Sequence, residues 1–432
     1  MTPSSHGHLQ DCAGDDAGFP FRTAQIPGIS GAIKQREEDF LVDELPLYPP
    51  SGQGEHLMLL VEKRGLSTLS MVNELARHFG VPTNAIGYAG LKDKQAITRQ
   101  HVTVHVPGKR MEDFPSLRHD RIQILWADMH DRKLRRGHLA GNGFSIRVRG
   151  VSPDAALHAH RVLAVLEAKG LPNVVGEQRF GQWGTNHRIG LALVRGNAQE
   201  ACDLLLGPTP DGKDDPSRLA YATGDLKAAL AALPQSAQAE RRVLEALARG
   251  KRPEHAVERI GRTELAFLAS ALQSAIFNEV LSERLRAGTL DTLQEGDVAV
   301  VHDARRTTFV VTAQEVGMSE LAERLTRLEV SPTGPMWGPR MRLAQGVPGE
   351  IERAALASFG LTPQDLERFA TRNRGALEGD RRPLRVPLAY PQVEGGADAH
   401  GTYVRCGFEL PRGSYATTVM AEVMKPDASA LP

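Results

Sequence analysis

The segment Gly87-Tyr88-Ala89-Gly90-Leu91-Lys92-Asp93-Lys94-Gln95-Ala96-Ile97-Thr98-Arg99-Gln100 holds the densest chemistry in the chain. A single carboxylate, Asp93, stands between two lysines, and nearby cations favour the charged form of a carboxyl group. An ionised aspartate serves as a nucleophile or as a general base. Gly87 and Gly90 add backbone conformations and close approaches that a Cβ forbids. A solvated charged turn is the plainer reading of the same spacing, since loops are usually polar.

The second signal is electrostatic. Between positions 132 and 149 the chain carries Arg132, Lys133, Arg135, Arg136, Arg147 and Arg149, with His138, and no Asp or Glu. Such a run suits a phosphate-contacting surface whose binding weakens steeply with salt, and equally a solvated face. Inside it, Gly141-Asn142-Gly143-Phe144 sets an amide able to bond a base edge near a ring able to stack on a base. Phe144 taken alone reads as a core residue. A third segment, Gly170 to Gly181, concentrates Gly, Pro, Asn, Gln, Phe and Arg179. It reads as an RNA-facing hinge or as a glycine-rich turn without a ligand.

Other chemistries fit poorly. Gly207-Pro208-Thr209-Pro210-Asp211-Gly212-Lys213 looks like the start of a phosphate-binding loop, but Asp214 replaces the required Ser or Thr and two prolines remove cradling amides. Gly141 and Gly143 precede a strand and lack the third glycine of a dinucleotide fingerprint. Cys12, Cys202 and Cys406 lie in no ligand spacing, which argues against zinc or a disulfide framework and for a reducing compartment. His6 and His8, in the first twenty residues, read as solvated rather than metal-binding. With 52 Lys plus Arg against 52 Asp plus Glu, no whole-molecule field draws the protein to polyanions, so affinity for nucleic acid has to come from local clustering. No apolar run reaches about 18 residues, and no membrane span or secretory signal is expected.

The elements that must position these residues follow from periodicity. Phe40 to Val42 and Leu57 to Val61 are strand-like, as are the alternating sets Val102, Val104, Val106 and Phe144, Ile146, Val148, each expected to bury one face. Ser67 can cap a helix whose Leu69, Val72, Leu75, Ala76 and Phe79 share a face before Gly80 ends it. Ala155 to Ala168 reads as a helix stopped by Gly170. Beyond Gly181 the composition turns helical, broken by polar connectors at Gly207 to Ser217 and Ser331 to Arg340 and by a strand pair, Val298 to Val301 and Thr308 to Val311. Strand-like sequence returns from Leu384, with Tyr403 to Leu410 ahead of a helix start at Gly413-Ser414. The expected organisation is a tail over 1–25, a discontinuous α+β domain over 26–181 and 384–432 with a mixed or antiparallel sheet, and a mostly helical insertion over 182–383.

Taken in order, these segments resemble the TruD family of tRNA pseudouridine synthases. Gly31-Ala32-Ile33-Lys34 through Glu37-Glu38-Asp39-Phe40-Leu41-Val42 is similar to the family's opening strand, Gly54-Glu55-His56 to its next turn, and Gly87 to Gln100 to its catalytic loop. Gly141 to Phe144, Leu171 to Gly181, Ser274 to Asn278 with Leu281 to Arg284, and Phe408 to Thr417 complete the series, which spans about residues 31 to 425. Tyr415 stands where the family often has Phe, Val174-Val175 where an aromatic pair is common, and the stretch from Gly207 to about Glu240 matches no family motif.

The resemblance implies a pseudouridine-synthase catalytic domain with an inserted TRUD domain, acting in the cytoplasm on tRNA without metal, nucleotide or other cofactor. It implies that Asp93 is the catalytic aspartate, with Lys34 beside it, Phe40, Phe144 and Tyr415 around the uracil, and Asn142 bonding to it. Arg132, Lys133, Arg135, Arg136, Arg147 and Arg179 would face the RNA, whose target would be uridine-13 in the D-arm of tRNA-Glu. The rival is an RNA-binding scaffold of the same fold without catalysis, against which the intact Lys-Asp-Lys loop speaks.

Overall fold

The computed structural model describes residues 19–209, 215–303 and 306–425. His6, His8, Cys12 and most of the expected tail lie outside those residues. Thr23, expected in the tail, is fully buried, its amide and hydroxyl donating to Glu422 Oε2 at 3.1 and 2.6 Å. The described residues divide into two compact units, one of 23–171 with 386–425 and one of 19–22 with 172–385. The break after Leu171 falls earlier than the Gly181 edge read from composition.

The discontinuous unit is an eight-stranded sheet. Its strands are β1 (Phe40–Pro46), β2 (His56–Arg64), β3 (Ile86–Tyr88), β4 (Ile97–His105), β5 (Ile122–His130), β6 (Leu139–Arg149), β7 (Ala389–Asp398) and β8 (Gly401–Pro411). The order is β7-β8-β6-β1-β4-β2-β5, with β3 beside β4. Only β1 and β4 run parallel, so the sheet is mixed but mainly antiparallel.

Three helices cover it: α1 (Thr68–Phe79), α2 (Ala156–Lys169) and α3 (Ala416–Met424). Ser67 caps α1 by accepting from Ser70 N at 3.0 Å, and Gly80 ends it in the left-handed conformation at φ 64°. Its buried face is Met71, Val72, Leu75, Ala76 and Phe79, packed on Leu57, Leu59, Val61, Val102 and Val104. Fully burying a side chain of this kind contributes about 1.5–3 kcal/mol. Leu69, read as part of that face, is instead 54% exposed, because its place on the helical turn points away from the sheet. The helices α2 and α3 bury Val162, Leu163, Leu166, Val419, Met420 and Val423 against Phe40, Val42, Ile146, Val148, Val404 and Phe408. The expected buried face of β4 holds, with Val102, Val104 and Val106 inside, and it extends over two polar residues, Thr98 and Gln100, in the same row; on the opposite face Thr103 is buried as well, its Oγ1 accepting from Leu134 N at 2.9 Å.

The second unit is mostly helical and centres on a 25-residue helix, Arg262–Arg286. By length and composition that helix could cross a membrane, but 72% of its most apolar window is buried inside the protein, as in a core helix. A four-stranded sheet accompanies it, with strands Asp380–Pro383, Val330–Met336, Val298–Val301 and Thr308–Val310 in that order. The polar break read at Ser331 to Arg340 is therefore wrong over its first half. Ser331 and Thr333 are buried because the sheet takes up their polarity: Thr333 Oγ1 donates to Val298 O and accepts from Arg381 Nε at 2.8 Å. Arg381 in turn makes a buried two-point pair with Glu352.

Candidate active site

The strand β3 pairs with β4 and delivers the loop that carries Asp93. Several tethers hold that loop. Gly137 N donates to Ala89 O at 2.8 Å, Lys92 N to Thr68 Oγ1 at 2.9 Å in the first turn of α1, and Lys63 Nζ to the backbone carbonyl of Asp93 at 2.8 Å. Gly87 is sterically required, since a Cβ there would lie 2.4 Å from Leu134 O and 2.6 Å from Thr103 Oγ1. Gly90 is not: its nearest neighbour would be Lys92 Nζ at 3.8 Å.

The cation on the Asp93 carboxylate comes from outside the loop. Lys34 Nζ donates to Asp93 Oδ2 at 2.8 Å, with the side chains 22% and 36% exposed. The same ammonium lies 4.4 Å from the centre of the Phe40 ring, a cation–π contact. Lys34 adopts φ 58°, a left-handed conformation that a residue with a Cβ holds at a cost of about 1–2 kcal/mol. The two lysines flanking Asp93 in sequence do something else. Lys94 is exposed, and Lys92 turns inward, where its Nζ donates to Asn142 Oδ1 and lies 2.8 Å from Glu44 Oε2. Burial pushes the Glu44 carboxyl up, but hydrogen bonds from His101 and the charge of Lys92 outweigh it and leave the group below its ordinary range.

Strand register gathers the remaining groups. Directly paired residues share a face of a sheet. One row therefore runs Ile122, Lys63, Thr98, Val42, Phe144, Phe408 across five interior pairings. The adjoining row carries Glu44, Asn142 and Leu410. Phe144, partly exposed, meets Phe40 edge-on at 6.4 Å and Phe408 at 5.6 Å. Phe40 is 2% exposed and backs Phe144 and Lys34 from within the core. Tyr415 sits at the N-cap of α3, just beyond the end of β8. Asn142 spends its carbonyl on Lys92, and among the described residues nothing accepts from its Nδ2. The site thus offers a partly exposed carboxylate, an aromatic face and an amide donor on one surface, enough to hold a flat polar base beside an anion.

Lys63, Glu44 and Phe408 were not singled out from sequence. Glu44 had a signal, since Phe40, Val42 and Glu44 alternate along β1 and a carboxylate on the inward face is anomalous.

The basic run is partly neutralised. Arg132 pairs with Asp131 at 2.8 Å, and Arg147 stands 3.4 Å from Asp398 and over the Tyr403 ring. Arg149 is buried and fully engaged with Asp39 and Asp398. Among the described residues no carboxylate pairs with Lys133, Arg135 or Arg136. These three line an open cleft of about 580 Å³ with Leu69, Asn73, Asn84 and Tyr88. Lys133 Nζ donates to Asn84 O, and Arg136 reaches the Tyr88 hydroxyl at 3.3 Å. Arg179 belongs to the other unit, where its guanidinium lies 5.4 Å from the centre of the Phe267 ring. Val174 and Val175 are buried there, and Asn278 bonds both backbone groups of Val175. Among the described residues no group of His, Cys, Asp and Glu is arranged to hold a metal.

A mixed sheet of this kind, interrupted by a helical insertion and carrying an aspartate loop between β3 and β4, matches one family throughout. The model of the family described as tRNA pseudouridine synthase D (TruD) matches residues 16–423. The tRNA pseudouridine synthase D of Geobacter metallireducens is 43% identical over 411 residues, covering 94% of this chain and 97% of its own. That of Geobacter sulfurreducens is 42% identical over 419 residues, covering 96% and 98%. The crystal structure of a tRNA pseudouridine synthase D (TruD) from Methanosarcina mazei superimposes with a TM-score of 0.79 at 26% identity, over 94% of this chain and 96% of that one. The chain belongs to the tRNA pseudouridine synthase D (TruD) family, whose members are isomerases.

Proposed function

We propose that the protein isomerises uridine-13 in the D-arm of tRNA-Glu to pseudouridine, with Asp93 as the nucleophile. The observation that carries this reading is the Asp93 carboxylate, ion-paired to Lys34 at 2.8 Å and partly open to solvent, on a loop bonded to β2 through Lys63 and, through Lys92, to Asn142 on β6, the strand that also bears Phe144. The reaction breaks the bond from N1 to C1′ and joins C1′ to C5. The proton on C5 leaves, N1 gains one, and no electrons are exchanged. A carboxylate that adds to C1′ or to C6 and later departs serves either route, in a pocket that keeps water from the detached base.

Extruding the nucleotide from its stack costs a few kcal/mol. Stacking on Phe144 or Tyr415 offsets this by about 1–3 kcal/mol. Asn142 Nδ2 orients the base, and Lys34 pairs with the carboxylate at 2.8 Å. Lys133, Arg135, Arg136 and Arg179 contact phosphates, with Arg132 and Arg147 joining them where RNA displaces their carboxylate partners. The setting is the cytoplasm, where tRNA is available.

The test is Asp93→Asn, assayed for tRNA affinity and for pseudouridine. We expect affinity within about threefold of wild type and product formation reduced at least about a thousandfold, as for loss of a covalent catalyst. Product at wild-type rate would refute the assignment. Mapping pseudouridine in total RNA with and without the gene checks the position, because the difference must fall at uridine-13 of tRNA-Glu.

A further inference from the structure

Lys63 breaks the pattern of its strand. Leu57, Leu59 and Val61 alternate along β2 into the core beneath α1, and Lys63 is next in that row. Its cross-strand partners are Thr98 on β4 and Ile122 on β5, neither of them charged. The side chain is 0% exposed, and among the described residues no carboxylate lies within ion-pair distance of its ammonium. An ammonium has three protons to donate. The one hydrogen bond seen for it among the described residues goes to the backbone carbonyl of Asp93, at 2.8 Å.

A buried cation without an ion pair is expensive, because burial disfavours the charged form. Burial lowers Lys63 to about 8, with Lys92 pushing the same way and Asp93 opposing. The unfolded chain therefore binds the extra proton between about pH 8 and 10.5, and stability rises with pH across that window. At neutral pH the charge on Lys63 works against folding. A cation in such a place is explained by what it touches.

We propose that Lys63 is a positioning residue for the reaction: its ammonium anchors the Asp93 backbone from beneath the loop, so that the carboxylate is held at the extruded base. This rests on the reading of Asp93 as nucleophile. Lys34 grips the carboxylate while Lys63 grips the main chain of the same residue, and Lys63 shares its row of the sheet with Phe144. The loop is thereby registered against the strand that carries the stacking ring. A displacement of about 1 Å at a reacting group costs about a hundredfold in rate.

The experiment compares Lys63→Met with wild type and Asp93→Asn on full-length tRNA. We expect Lys63→Met to lower kcat about a hundredfold while KM changes less than about threefold. In wild type the single-turnover rate should fall as pH rises through about 8, where Lys63 loses its proton and its bond to the Asp93 carbonyl weakens from charge-assisted to neutral, and that limb should be absent in Lys63→Met. The titratable groups facing Lys63 are Asp93 and Lys92, with Lys34 reached through Asp93. A folded Lys63→Met with kcat within about threefold of wild type overturns the proposal. Should that variant fail to fold, the wild-type profile decides, and a rate that stays flat between about pH 7 and 9 overturns it equally. Asp93→Asn separates the two claims. If it makes product, the nucleophile reading fails; if it is inactive while Lys63→Met is normal, only the role of Lys63 fails.

Discussion

The pair Lys92 and Glu44 stands directly behind the site, with the two side chains 5% and 1% exposed. Removing one member of a buried ion pair strands the other, at a cost of about 3–5 kcal/mol. Glu44→Gln should therefore destabilise the protein by about 3 kcal/mol in urea unfolding. Adding Lys92→Met should recover part of that loss, as a double-mutant cycle would report. The pH dependence has a definite sign. The folded carboxyl of Glu44 is held below its ordinary value of 4.5, so its contribution is complete above that pH and disappears as pH falls through the folded value. Thermal scans from about pH 5 down to about pH 3 should show a shallower loss for Glu44→Gln than for wild type. At this scale the sequence spoke through identity more than arrangement. Asp93 stood out in its loop as a candidate, yet the lysines beside it in sequence are not the ones that hold its carboxylate. Lys34 is 59 positions away, and its contact with Asp93 is a product of the fold that spacing alone does not encode.

Elements were legible where periodicity and capping agree. The helix α1 begins at the cap its Ser67 announced and stops at Gly80, and the face marked by Val102, Val104 and Val106 is the buried one, although the alternation gave no sign that Thr98 and Gln100 extend it. Ser67→Ala should cost about 1 kcal/mol, the usual value of an N-cap hydroxyl. The glycines of the Asp93 loop separate more sharply. Gly87→Ala pushes a methyl group against the backbone oxygen of Leu134 and should destabilise by at least about 2 kcal/mol, whereas Gly90→Ala meets open space and should change stability by less than about 0.5 kcal/mol. Thermal denaturation of the two variants side by side checks the contrast. The strand Val330–Met336 was illegible for a related reason. Its Ser, Thr, Gly and two Pro residues carry turn chemistry, and only the buried partners Arg381 and Val298 make a strand of them.

For the whole molecule, the net charge of zero leaves RNA affinity to local groups. Lys133, Arg135 and Arg136 are the cations of the basic run without a carboxylate partner among the described residues. Replacing all three by Ala should make the dependence of log affinity for tRNA on log salt shallower by about 2–3 units, each phosphate contact contributing about 0.7–0.9. Filter binding over a salt series measures it, and an unchanged slope would place the RNA elsewhere. Reading the run as uniformly available overstated it, because Asp131, Asp39 and Asp398, all outside the run, neutralise Arg132, Arg147 and Arg149. The sheet itself has one more consequence. Strand β8, which flanks Asn142 and Phe144 along β6, is about 250 residues downstream of that strand, on the far side of the whole insertion. A ribosome adding about 5–20 residues per second needs roughly 13 to 50 s to cross that interval. Through that time the edge of β6 lacks the partner that β8 will give it, so this sheet is completed only when synthesis is all but finished.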